Sequence, residues 1–438
     1  MCTHYSPAVV IASTLTRLIN LDHPITHPMT QYLDAAEAAQ RLNISRPTLY
    51  AYVSRGLLLA YPSPDGRGSR YREADVARLA DQRAGGRRPR QVVRHALDWG
   101  LPVMESAITL IDHGRLFYRG TPALELAEHA TLEAVAARLW QCDEAAAFSA
   151  TAPVLPKSWY AALASLANAD IRQRCMALCT LALPALDEAA WRQDTTRTAR
   201  DAGALLRLVF AAMLGRAPDA APVHLQCQQA WGVDAQAAEA IRVALVLCAD
   251  HELNASSFAA RVVASTGASL GAAVSAGLAA LTGGRHGGTT ARVEALLSEL
   301  EGERSVATAL RRRLDRGDAL PGFGHPLYRE ADPRANAILA RLPKTGAIRK
   351  RLQSVIDAVN NLTGDGPSVD FALVATRRVL GLAEGSAFGL FAAGRTAGWI
   401  AHALEQRAAG QLIRPRAAYV GPMPTAPEAP AGRIIRIR

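Results

Sequence analysis

Apolar residues recur at three- and four-residue spacings through most of this chain, and that period commits it to helices. Alanine, the strongest helix former, is abundant, while aromatic residues make up only 5%. At 438 residues, half of them hydrophobic, the chain can bury two or three cores, so a mostly helical globular protein is expected. The run nearest to a membrane span, "SLGAAVSAGLAALTGG", falls short of the roughly 20 apolar residues a span requires. The brief run "AVVIAS" lacks a basic leader and a cleavage pattern, so residues 1–30 read as a loose extension of a cytoplasmic protein. Six scattered cysteines, with no histidine near the Cys175 and Cys179 pair, predict reduced, partly buried thiols and no metal site.

The net charge of +10 is concentrated. Between residues 41 and 94 twelve arginines stand against four acids, a local excess of +8 that points to an anionic partner for this region. Within "YLDAAEAAQRLNISRPTLYAYVSRGLL", Asp34 with Glu37 three later forms a capping box, and Ala36, Ala39 and Leu42 give the first helix its inner face. Ser45 caps a second helix with Pro47 in its first turn, so two short helices meet at a tight turn. The second carries Arg46, Thr48, Tyr50, Tyr52 and Arg55, and the turn "PSPDGRGSRY" puts Arg67 and Arg70 at its tip. Residues 31–83 thus resemble the winged helix-turn-helix of the MerR and excisionase families. Two readings stand: a DNA contact through Arg46, Thr48, Tyr50, Arg55, Arg67 and Arg70, or a packing pair with a solvated basic face. Residues 84–95, with "AGGRRPRQ", read as a linker.

Three histidines farther on stand where packing does not explain them: His251 in "CADHELN", His286 in "GGRHGGTT" and His325 in "PGFGHPLYREADPRA". Glycines on both sides of His286 free the backbone to approach a ligand and let the imidazole project from a loop or helix start. Asp370 follows a Gly-Pro break and precedes a periodic apolar run, near a helix N-terminus where a carboxylate is favoured as the anion. Each alone is equally a turn or cap residue; together, a base and two loop histidines could converge.

The blocks "ESAITLIDHGRLFYRGTPALELAEHATLEAVAARLW", "DHELNASSFAARVVASTGASLGAAVSAGLAALTGGRHGG", "PGFGHPLYREADPRA", "VDF" and "GRTAGWIAHALEQ" with "LIRPRAAYVG" resemble, in order and spacing, the citrate synthase family. The resemblance runs from about Leu101 to Gly421 and is weak between about 143 and 240. It implies an all-α citrate synthase fold over 96–438, with a large helical subdomain of about 96–264 and 356–438 and a small one of about 265–355. It further implies condensation of acetyl-CoA with oxaloacetate and water to citrate and CoA, with no cofactor. By that resemblance Asp370 removes a methyl proton from acetyl-CoA, His286 stabilises the enolate, and His325 polarises the ketone of oxaloacetate. His251, Arg334, Arg395 and Arg414 would bind oxaloacetate, with Arg414 reaching across a homodimer interface and Arg416 as the alternative register there. Arg329 would contact a CoA phosphate. The residue types suit that chemistry, since a thioester methyl yields its proton to a carboxylate only where a preorganised donor meets the growing oxygen charge.

Ser368, where many members carry asparagine, "HGGTT" in place of "HGGAN", and Pro326 after His325 depart from the family pattern and leave the acyl-CoA open. The alternatives are a 2-methylcitrate synthase using propionyl-CoA, and a DNA-binding regulator whose synthase-like domain senses metabolites.

Overall fold

The computed structural model describes residues 32–80 with short gaps between 55 and 78, and 104–422 apart from 149–150, 187–193, 329–330 and 418. The expected extension 1–30, the linker 84–95, and Arg55, Arg67 and Arg329 lie outside the described residues. The chain divides between Glu105 and Ser106 into two compact units.

In the first unit, β1 (Tyr32–Leu33) leads into α1 (Ala35–Arg41) and α2 (Arg46–Ser54), and β2 (Tyr61–Pro62) and β3 (Ser69–Arg72) form a hairpin. The sheet order is β1-β3-β2, antiparallel throughout. The capping box forms as the sequence predicts: Asp34 accepts from the amides of Ala36 (2.7 Å) and Glu37 (2.8 Å), and Glu37 accepts from the amide of Asp34 (2.8 Å). The inner face differs by one position, because Ala38, Ala39 and Leu42 are buried while Ala36 is only partly so. They pack with Leu49, Leu58, Tyr71, Val76 and Leu79 into a core of its own.

The second unit opens with a three-stranded meander that the helical period does not announce: β4 (Thr109–Asp112), β5 (Arg115–Tyr118) and β6 (Thr121–Pro122). Helices follow: α3 (Ala123–His129), α4 (Leu132–Trp140), α5 (Glu144–Ala147), α6 (Lys157–Ser165), α7 (Ile171–Leu186), α8 (Thr195–Leu214), α9 (Val223–Trp231) and α10 (Ala235–Cys248). Then come α11 (Ala255–Ser265), α12 (Leu270–Leu281), α13 (Thr289–Glu301), α14 (Val306–Asp315), α15 (Pro333–Arg341), α16 (Ala347–Thr363), α17 (Val369–Val379) and α18 (Ser386–Ala409). The segment "SLGAAVSAGLAALTGG" is the short α12, and no described helix is long and apolar enough to cross a membrane.

Buried nearly throughout, α18 is the axis about which α4, α8, α10, α11 and α12 assemble. Its small residues let backbones close on one another: Gly398 donates its amide to the Ala249 carbonyl (2.9 Å), and Trp140 Nε1 donates to the Ala397 carbonyl (2.9 Å). Part of the arginine excess serves packing, since buried guanidinium groups satisfy carbonyls that helix ends leave orphaned. Arg174 donates to the Ala212 (2.8 Å) and Met213 (2.5 Å) carbonyls at the end of α8, and Arg242 to those of Ala127 (2.7 Å) and Ala130 at the end of α3. Cys142, Cys175, Cys179, Cys227 and Cys248 are free thiols, and burial pushes Cys175 up to about 12.

Gly398→Ala tests the close approach of α18. The added methyl would enter the contact shell of Asp250 Oδ1 and stand 2.5 Å from the Ala249 carbonyl oxygen. Overpacking of this kind costs about 1–3 kcal/mol, to be read as a lower denaturant midpoint at unchanged m-value.

Candidate active site

Two distant stretches are stitched together by backbone. The Gly324 amide donates to the Gly366 carbonyl (2.9 Å) and the Ser368 amide to that of Gly322 (2.8 Å), so the His325 turn lies on the start of α17, which carries Asp370. Phe323 and Phe371 pack ring to ring at 4.8 Å across this seam. Gly322, at φ +88°, is needed because a Cβ there would stand 2.7 Å from Val293 Cγ2 and 3.1 Å from Phe371 Cβ. These glycines, and Gly287 and Gly288 after His286, therefore face close protein neighbours; a Cβ on Gly287 would stand 2.5 Å from the Leu281 carbonyl oxygen. At Gly287 and Gly288 the lack of a side chain lets segments approach each other, while Gly284, on the other side of His286, has open space where a Cβ would stand.

His325 Nδ1 accepts the Leu327 amide (3.1 Å), which leaves the proton of the neutral ring on Nε2. Burial, reinforced by Arg334, holds that ring down at about 4. His251 stands edge-on to it with ring centroids 5.2 Å apart, and its Nε2 shares a hydrogen bond of 2.9 Å with the Tyr328 hydroxyl. Burial, with Arg334 and Arg395, depresses His251 well below the ordinary histidine range. His286 precedes α13 as the sequence predicts, its Nε2 2.8 Å from Ser256 Oγ, which lies 2.7 Å from Asn254 Oδ1, the N-cap of α11. Burial and then Arg395 hold it down at about 4. All three imidazoles are thus neutral at pH 7.

The carboxylates divide in the opposite sense. Asp332 caps α15 and holds Arg334 through Nε to Oδ1 (2.9 Å) and Nη2 to Oδ2 (2.7 Å), while Oδ2 also accepts the Val369 amide (3.1 Å). Burial alone would raise Asp332, but the Arg334 guanidinium holds it below the usual carboxylate range. Asp370, in the first turn of α17, has Oδ1 shut off from solvent with no hydrogen-bond partner among the described residues. Burial, and the nearby Asp332 carboxylate, raise it to about 6 against the opposing pull of Arg334, Arg395 and Arg292, above the ordinary carboxylate value despite its place at a helix start.

Arg395 is fully buried on α18, donates to the Cys248 carbonyl (2.8 Å) and stacks over Phe391 at 4.8 Å, with the Phe391 ring 6.0 Å from that of His286. His251, His286, His325, Arg334, Asp370 and Arg395 therefore gather in one place. Arg414 stands exposed on the extended segment after α18, outside this cluster. Asp332, Ser256 and Tyr328 were not singled out in the sequence, although "DPR" carries the cap-then-proline signature of a helix start.

On the first unit, Arg46 and Arg70 are exposed, and both lie near enough to Asp34 to help lower it, behind the two backbone amides it accepts. Tyr50 is 53% exposed. Thr48 is turned to its cap, its hydroxyl 2.8 Å from Ser45 Oγ, and Tyr52 packs on the small core.

The pattern of the citrate synthase C-terminal domain matches residues 96–416, and that of a helix-turn-helix domain matches residues 32–84. A Mycobacterium tuberculosis protein named putative citrate synthase 2 is 31% identical over 401 residues, covering 88% of this chain and 95% of its own. The citrate synthase of Thermotoga maritima superposes with a TM-score of 0.63 at 27% identity, over 75% of this chain and 96% of its own. Thermoplasma acidophilum citrate synthase, solved with carboxymethyl coenzyme A and oxaloacetate, superposes with a TM-score of 0.65 at 23% identity, over 76% of this chain and 97% of its own. The chain belongs to the citrate synthase family, with a helix-turn-helix domain at its N-terminal side.

Proposed function

We propose that the second unit condenses acetyl-CoA with oxaloacetate and water, releasing citrate and CoA. The observation that carries this reading is the pairing of three neutral imidazoles with a carboxylate raised to about 6, with the His325 turn stitched backbone to backbone onto the helix of Asp370. Asp370 takes a methyl proton from acetyl-CoA as the carbon becomes nucleophilic. A carboxylate raised toward neutrality is the stronger base, and the unpartnered Oδ1 leaves a lone pair available to receive the proton. His286 meets the charge growing on the thioester oxygen as a neutral imidazole, held in place by the 2.8 Å hydrogen bond between its Nε2 and Ser256 Oγ. His325 donates Nε2–H to the ketone oxygen of oxaloacetate as the new carbon–carbon bond forms, and water then hydrolyses the thioester of the citryl product.

His251, Arg395 and Arg334 hold the dicarboxylate, Arg334 through Nη1 because Nε and Nη2 are committed to Asp332. Arg414, exposed in the single chain, completes the site from the partner subunit of a homodimer, and Arg329 meets a CoA phosphate. Closure of a small subdomain, about 265–355, on the larger one excludes water during the carbon–carbon step. The exposed Arg46 and Arg70 face a DNA backbone, with Tyr50 beside them on α2.

Coupled detection of CoA release, with acetyl-CoA and propionyl-CoA side by side, tests the reaction and ranks the two acyl groups; no release from either overturns it. Asp370→Ala is expected to lower kcat by about 10²–10⁴-fold with oxaloacetate binding retained, and unchanged turnover would sink the mechanism.

Because the ionised form of Asp370 is the active base, kcat/KM falls tenfold per pH unit below about 6. The same group acts on stability with the opposite sign. Its folded value lies above its ordinary 3.8, so its stabilisation is complete below that pH and is lost as pH rises through 6. Asp370→Asn is therefore expected to melt higher than wild type at pH 8 while being inactive, as differential scanning calorimetry would show.

Full-length protein on a fluorescent DNA duplex should bind with a steep salt dependence, and replacing Arg46 and Arg70 together by alanine should reduce the log–log slope by roughly 2. A salt-independent or absent signal in the wild type would leave the first unit as a packing element.

A further inference from the structure

We propose that Tyr328 is a positioning residue of the oxaloacetate pocket, holding His251 by its hydroxyl and Arg334 by the face of its ring. This rests on the oxaloacetate reading above and adds a residue to it. Tyr328 is 3% exposed and follows His325 by three residues in a turn closed by the Tyr328 amide on the His325 carbonyl (3.1 Å). Its hydroxyl lies 2.9 Å from His251 Nε2, its ring centroid 5.0 Å from that of His325 and 5.7 Å from that of His251, and the Arg334 guanidinium sits 5.4 Å from its centroid. One side chain thus touches three of the groups assigned to oxaloacetate.

Each contact does separate work. The His251 ring is buried and neutral, and without the hydroxyl its Nε2 loses the hydrogen bond that orients it, so its orientation loosens. Burial pushes the Tyr328 hydroxyl up to about 12, so it keeps its proton across the working pH range and serves as either donor or acceptor. Arg334 is held from two sides, by Asp332 in the guanidinium plane and by the Tyr328 ring across it, which fixes where Nη1 points. The contacts of this ring are with His251, His325 and Arg334, on the oxaloacetate side of the site and not with His286 or Asp370 among the described residues, so the effect is on one substrate.

Two variants separate hydroxyl from ring. In the full-length protein, Tyr328→Phe is expected to raise KM for oxaloacetate about tenfold, with kcat within threefold and KM for acetyl-CoA unchanged. Tyr328→Leu removes the ring as well, and is expected to raise KM for oxaloacetate further and to lower kcat. Titration calorimetry with oxaloacetate alone should show the same order of Kd: wild type, then Phe, then Leu. If Tyr328→Phe keeps the wild-type KM and Kd for oxaloacetate, or loses both substrates equally together with melting temperature, the assignment is overturned. Should the wild type neither bind oxaloacetate nor release CoA, the functional reading itself falls, a result separable from an active wild type with an indifferent Phe variant.

Discussion

One buried carboxylate ties the site together. Asp332 caps α15, pairs with Arg334 in a two-point ion pair and accepts the amide of Val369, the residue before Asp370. A single side chain thus sets the place of Arg334 and the start of the helix that carries Asp370. Removing one partner of such a pair strands a charge in a nonpolar interior, at a cost of about 3–5 kcal/mol, more than any exposed ion pair of this protein can contribute. The glycine seam between residues 322–324 and 366–368 acts in the same direction, holding the His325 turn on α17 through backbone bonds that no side-chain substitution removes.

A second tie lies behind the site. Positions 395, 398 and 402 share one face of α18 and meet three consecutive residues at the end of α10. Arg395 donates to the Cys248 carbonyl, Gly398 donates to the Ala249 carbonyl, and His402 stands 3.3 Å from the Asp250 carboxylate, whose other oxygen accepts Thr109 Oγ1 at 2.6 Å. His251 is the next residue. Arg395 and His251 are therefore placed relative to each other by the packing of two helices, and the meander that opens the unit supplies the third member through Thr109.

Local signals in the sequence were reliable where the cause is local. The capping box at Asp34, the helix start at Asp370 and the projection of His286 just ahead of a helix all follow from residues within a turn of each other. The ordered motif blocks located the cluster, but its connections were not legible. Asp332 reads as an ordinary cap until α17 is seen beside it, Tyr328 reads as a core aromatic, and the glycines around His325 and His286 give no hint of whether they make room for ligand or for protein. Those facts belong to contacts between segments far apart in sequence, and a one-dimensional pattern records the residue without its neighbour.

Asp370 shows how such a contact can reverse a local rule. A helix N-terminus favours a nearby anion by about 0.3–1 kcal/mol, and three arginines, Arg334, Arg395 and Arg292, pull in the same direction. Desolvation can move a buried carboxylate by several pKa units, each worth 1.36 kcal/mol, and here, with the Asp332 carboxylate acting in the same direction, it wins. The net rise to about 6 is what remains after the arginines have offset part of it. Without Arg334 and Arg395 the carboxyl would hold its proton more tightly; with a hydrogen bond to Oδ1 it would be a weaker base. The arrangement between those limits depends on Arg334 staying where it is, which returns the matter to Asp332.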